Sequence, residues 1–173
     1  MVYRFRVILD THEDVFRDIE IEASDSLEDL HNVILQSFGF EGQEMASFYV
    51  SNEKWEQGEE IALFDMGDKP GAVRVMSENR LEDTVWREQT RLLYIYDYLN
   101  MWTFMVELAD IIEPEDGVSY PNLMYVEGQI PAVAPEREFI IEDMDDAFSD
   151  DEDDEMGLDP EDYDNLDFDE NWN

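Results

Sequence analysis

Leu92-Leu93-Tyr94-Ile95-Tyr96-Asp97-Tyr98-Leu99-Asn100-Met101-Trp102-Thr103-Phe104-Met105-Val106-Glu107-Leu108 carries the strongest apolar signal in the chain. Two runs, 92–98 and 101–108, flank Leu99-Asn100, which predicts two strands around a tight turn. In the second run Trp102, Phe104, Val106 and Leu108 share one face, while Met101, Thr103, Met105 and Glu107 share the other, the period-two alternation of a pleated strand. The turn lacks the glycine favoured in two-residue hairpin loops, and Asn100 is the residue there that best tolerates a positive φ. The expected outcome is a central hairpin around which a sheet is built.

Upstream, Tyr3, Phe5, Val7 and Leu9 alternate with Arg4 and Arg6, and Val15, Arg17, Ile19, Ile21 and Ala23 alternate with more polar neighbours. Joined by the short polar stretch 10–14, these read as an N-terminal hairpin with one face in a core. Leu27, Leu30, His31, Ile34, Leu35 and Phe38 then recur at helical spacing, with Ser26 and Asp29 placed to cap the first turn and Gly39 to end the last. Ala46, Phe48 and Val50 suggest another strand, 61–64 a short apolar segment, 67–71 a turn, and 81–88 a short helix with Asn79 and Glu82 spaced as its cap. From Pro114 to Pro135, interruptions by Pro121, Gly128 and Pro131 predict turns, with a final short strand at 139–141. The expectation is an α+β fold: a single compact domain over 1–141, with an amphipathic helix packed on a mixed or antiparallel sheet.

Charge divides the chain. Of 47 acidic and 10 basic residues, a net charge of −37, residues 138–173 contain 18 acids and no Lys or Arg. Like-charge repulsion and sparse apolar content predict disorder over 142–173. This field repels phosphate backbones, which are normally engaged by clustered Lys and Arg, so direct nucleic-acid binding is not expected. Anionic membrane surfaces are disfavoured for the same reason, and the sequence has no apolar run long enough to span a bilayer. The N-terminus has no basic region followed by an apolar one, and a cytoplasmic location is expected. Cysteine is absent, which removes disulfides, thiol catalysis and thiolate metal sites.

Two segments carry a resemblance. Leu27-Glu28-Asp29-Leu30-His31 looks like the Leu-x-x-Leu-His helix of the plasmid pRiA4b ORF-3-like family, and Tyr94-Ile95-Tyr96-Asp97-Tyr98-Leu99-Asn100-Met101-Trp102 looks like its Tyr-x-Tyr-Asp-Phe-Gly-Asp-x-Trp hairpin. The resemblance covers roughly residues 2–141 and implies a small α+β domain with no established general activity. Tyr98, Leu99 and Asn100 replace the family's Phe-Gly-Asp, so one carboxylate of the family pattern is missing. Downstream, 130–136 keeps only fragments of a Pro-Pro-Glu-Asp segment.

His31 and Asp97 are the candidate catalytic residues. An imidazole exchanges protons near neutral pH, and a carboxylate inside an aromatic hairpin must be exposed, paired or raised in pKa. Each also has a structural reading, in which His31 bonds a strand or a buried carboxylate such as Asp97, and Asp97 serves the turn. Asn100, Trp102 and Trp55 are candidate ligand-binding residues, with packing as their alternative role. His12-Glu13-Asp14 are adjacent ligand types that rarely converge on one ion, and 156–163 lacks the ligand pattern of an EF-hand, so no metal site is expected. No nucleophile elbow, phosphate loop or dinucleotide turn is present, and no cofactor is expected.

Three functions compete. The leading expectation is a non-enzymatic interaction module whose acidic tail meets a basic protein, with Phe148, Tyr163, Phe168 and Trp172 as apolar anchors after encounter. A second gives the tail only a solubilising role. The third places a small-ligand or enzymatic site at His31 and Asp97.

Overall fold

The computed structural model describes residues 1–65, 67, 71 and 73–135. They fall within one unit of the chain, Met1–Glu136. The expected strand at 139–141 and the acidic tail at 142–173 lie outside the described residues.

The N-terminal hairpin forms as expected: β1 (Val2–Leu9) pairs antiparallel with β2 (Phe16–Glu22), placing Phe5 opposite Ile19 and Tyr3 opposite Ile21. α1 (Leu27–Phe38) begins at Ser26, whose hydroxyl accepts from the Asp29 amide while the Asp29 carboxylate accepts from the Ser26 amide. This reciprocal cap satisfies two amides at the helix start, and Glu28 and Asp29 lie where the helix dipole favours negative charge. Gly39 closes the helix at φ 86°, and its amide donates to the Leu35 carbonyl. The buried face of α1 comprises Leu27, Leu30, His31, Ile34, Leu35 and Phe38.

The remaining elements are β3 (Ala46–Val50), β4 (Glu60–Ala62), β5 (Arg74–Val75), a 3-10 turn (Met76–Glu78), α2 (Leu81–Thr84), β6 (Arg91–Tyr96), β7 (Trp102–Ile112) and β8 (Asn122–Glu127). They complete an eight-stranded sheet ordered β5-β4-β3-β6-β7-β1-β2-β8, antiparallel except where β4 meets β5. The decisive hairpin, β6–β7, lies near the middle, with Tyr94 opposite Phe104 and Tyr96 opposite Trp102. Helix and turns pack on one face of the sheet. There Phe5, Phe48, Tyr94 and Phe104 are fully buried, and removing such side chains from water contributes about 1.5–3 kcal/mol each. No helix among the described residues is long and apolar enough to cross a membrane.

Four expectations change. The stretch expected to hold only turns contains β8, which pairs antiparallel with β2 through a register shift at Asp18/Ile19. Its side chains are exposed on both faces, so it shows none of the in-out alternation that marks a half-buried strand. α2 stops at Thr84 rather than 88, because Trp86 and Gln89 exchange backbone hydrogen bonds and turn the chain back. Its N-cap is Arg80; Asn79 instead accepts from Arg74 and donates to the Val75 carbonyl. In the central turn, the positive φ values fall at Asp97 (67°) and Met101 (58°), not at Asn100.

Candidate functional site

The catalytic candidates enter different hydrogen-bond networks. His31, on the buried face of α1, shares a 2.7 Å hydrogen bond through Nδ1 with the hydroxyl of Tyr94 on β6. Helical spacing puts the imidazole over the sheet, and strand alternation brings the Tyr94 phenol up to meet it. Burial pulls the imidazole pKa down to about 4 and pushes the Tyr94 phenol well above its ordinary value. At neutral pH both groups are therefore uncharged, so the pair joins helix to sheet without an ionic partner.

Asp97 serves the turn. Its carboxylate accepts from the Asn100 side-chain amide at 2.7 Å and from the Leu99 backbone amide at 3.2 Å. The Asp97 carbonyl accepts from the Met101 amide at 2.6 Å, closing the loop between β6 and β7. The turn is thus held by side-chain bonds from Asp97 and Asn100, where a tight hairpin would ordinarily rely on glycine. Trp102, just beyond it, packs edge-on against Phe40 with ring centroids 5.2 Å apart.

Trp55 belongs elsewhere. Arg91, at the start of β6, lies over its ring at 4.8 Å. Tyr96, opposite Trp102, ends the same strand; five residues at about 3.3 Å each put about 17 Å between the two ends. Asn100 and Trp102 therefore share one end of the hairpin, and Trp55 sits at the other.

At the Trp55 end, an open cleft of about 1000 Å³ is lined by Asn52, Lys54, Glu56, Arg87, Gln89 and Arg91, among others. Its walls are tied together: Asn52 Oδ1 accepts from the Lys54 and Glu56 amides, Gln89 Nε2 donates to the Ser51 carbonyl, and Arg91 Nη1 donates to the Glu53 carbonyl. A Cβ on Gly58 would come within 2.5 Å of the Val50 carbonyl oxygen, so this loop closes only with glycine there. The cleft offers mixed charges, a feature of a polar recognition surface. On the sheet face away from α1, Ser47 donates to Glu60 and bonds Tyr98, but Ser47 is fully buried and unsuited to attack a substrate.

Two features were given no functional role by the sequence. Arg17 points into the domain and is only 5% exposed. Its Nε donates to the Ser37 carbonyl at the end of α1, and its Nη1 donates to the carbonyls of Phe16, Glu127 and Gly128. It thereby fastens β8 to β2 and α1, with its guanidinium 4.4 Å from the Phe38 ring centroid. Burial lowers its pKa, a penalty these carbonyl dipoles offset. The second feature is the outer strand that Arg17 holds: Leu123, Met124, Tyr125 and Val126 are 43–50% exposed. Beside them, a groove of about 700 Å³ runs past Tyr125 to Arg6 and Arg4, which are paired with Asp18 and Glu20 respectively. Four consecutive apolar residues between Pro121 and Gly128 were the available sequence signal.

Among the described residues, no group of three or more His, Cys, Asp or Glu side chains is placed to hold a metal ion. Phe148, Tyr163, Phe168 and Trp172 lie outside the described residues.

A solved protein of unknown function from Methanosarcina mazei Go1, MM3350, has a similar fold: TM-score 0.68 and 22% identity, covering 93% of this chain and 95% of that one. No curated protein matches the chain. The model of the plasmid pRiA4b ORF-3-like protein family matches residues 1–172, nearly the whole sequence, and the chain belongs to that family.

Proposed function

We propose that this chain is a cytoplasmic, non-catalytic interaction module whose acidic C-terminal segment engages a basic protein. The observation that carries this reading is the concentration of 18 acidic residues, with no Lys or Arg, in 138–173, interleaved with Phe148, Tyr163, Phe168 and Trp172. Acidic charge accelerates encounter with a basic surface, and the aromatics provide apolar contact after encounter. The folded domain is consistent with this role: His31 bonds Tyr94, Asp97 bonds its own turn, and each group has a structural function.

The test compares the intact chain with one whose residues 142–173 are scrambled at constant composition, each purified with its associated proteins from cells at physiological salt. A defined set of basic proteins retained only by the native order is expected. Identical sets from both chains would leave the segment a solubilising role and overturn the proposal.

A further inference from the structure

Edge strands expose a row of unpaired backbone groups, and folded proteins guard them with lysines, prolines, bulges or short length. Among the described residues, β8 is the outermost strand on its side of the sheet and is six residues long, about 20 Å. Within Asn122–Glu127 there is no Lys and no Pro, the one charge, Glu127, is at the end, and the guard that remains is the register shift opposite Asp18 and Ile19. Leu123 to Val126 expose apolar side chains on both faces of the strand. Arg17 keeps this edge fastened through the Glu127 and Gly128 carbonyls.

What such an edge pairs with is decided by charge. Two copies of the chain would bring −37 against −37, and the connection leading into β8 carries Glu113, Glu115 and Asp116 within nine residues of its start. Self-pairing is therefore opposed by repulsion, while a positively charged strand is attracted by the same field. The acidity guards the edge against its own kind and leaves it open to the opposite sign.

We propose that β8 is a strand-addition site, taking up an extended basic segment of a partner protein as a ninth strand beside Leu123–Val126. Backbone hydrogen bonds along the outer edge would supply affinity, and apolar side chains of the segment would pack against Tyr125 and Met124 on one face or Leu123 and Val126 on the other. The inference rests on reading the chain as an interaction module, and it adds a docking site separate from residues 138–173.

The test titrates full-length chain with a labelled synthetic peptide alternating Lys and Val, read by fluorescence anisotropy. Three comparisons accompany it: the same peptide N-methylated on alternate residues, an alternating Glu-Val peptide, and the chain with scrambled residues 142–173. Expected are binding of the Lys-Val peptide by native and scrambled chains and at least about ten-fold weaker binding of the N-methylated and Glu-Val peptides. The variants Leu123→Lys and Tyr125→Lys, checked for unchanged thermal unfolding, should each weaken binding by about ten-fold as well. Equal affinity for the N-methylated peptide would reduce the effect to charge attraction and overturn the proposal. So would a peptide-free chain that sediments as a dimer dissociated by Tyr125→Lys, which would assign the edge to a second copy. Loss of binding only on scrambling 142–173 would place recognition in that segment and refute the edge site, whereas retention after scrambling keeps the edge site even if the tail proposal fails.

Discussion

The two edges of the sheet are finished differently. β5 is two residues long, and its Arg74 is bonded to Asn79 and Glu59, so the edge ends in a short, charged, internally satisfied stub. β8 presents six residues, four of them large, apolar and roughly half exposed. The first is the usual protection against stray pairing; the second has no Lys or Pro and keeps only the irregularity in its pairing opposite Asp18 and Ile19. The contrast teaches that exposure at β8 is not a general property of this fold's margins. It is maintained at one edge by a buried cation, Arg17, which bonds four backbone carbonyls.

Breaking that fastening should have the largest effect on stability. Arg17→Met leaves carbonyls of α1, β2 and the end of β8 without their donor and should cost about 3 kcal/mol in urea denaturation. Gly128→Ala is a second way to detach the same edge. Its φ is +74°, and a Cβ would lie 2.4 Å from the Asp14 carbonyl oxygen, so a loss of at least about 2 kcal/mol is expected by the same measurement.

His31 lies under the middle of the sheet and should give an intermediate effect with a pH signature. Its pKa falls from 6.5 in the unfolded chain to about 4 in the folded one, so between these values the unfolded chain binds the extra proton. The stability associated with its neutral state is complete above about pH 6.5 and declines as pH falls toward 4. His31→Phe should cost about 2 kcal/mol at neutral pH, because the Tyr94 hydroxyl loses its partner. The gap between variant and native chain should narrow across that window, since phenylalanine has no proton to exclude. Parallel denaturation curves at neutral and acid pH check this; a constant gap would mean that the histidine titrates normally.

The smallest effect is expected at the guarded edge. Arg74→Ala removes an ion pair with Glu59 whose members are 33% and 59% exposed, and it should change unfolding free energy by less than about 1 kcal/mol. A loss comparable to that of Arg17→Met would erase the distinction between the edges.

The elements that were legible in the sequence are those that bury one face. α1 announces itself through Leu27, Leu30, Ile34 and Phe38 and through the Ser26/Asp29 cap; β1, β2 and the central hairpin do so by alternation. β8 escaped notice because Leu123–Val126 are exposed on both sides and carry no periodic pattern. The local part of the candidate site was legible too, since Asp97 and Asn100 are three residues apart and meet within one turn. The partner of His31 was not: Tyr94 lies 63 residues away, and only the packing of helix on sheet selects it. The separation of Trp55 from Trp102 likewise follows from strand pairing, which places them at opposite ends of β6.

Whether β8 takes up a strand is read from amide hydrogen exchange of the full-length chain at Leu123, Met124, Tyr125 and Val126, with and without the alternating Lys-Val peptide. Amides facing outward from β8 should exchange quickly alone and become protected on adding the peptide, while those of β5 are unaffected. Unchanged exchange along β8, with peptide bound elsewhere on the chain, would contradict strand addition.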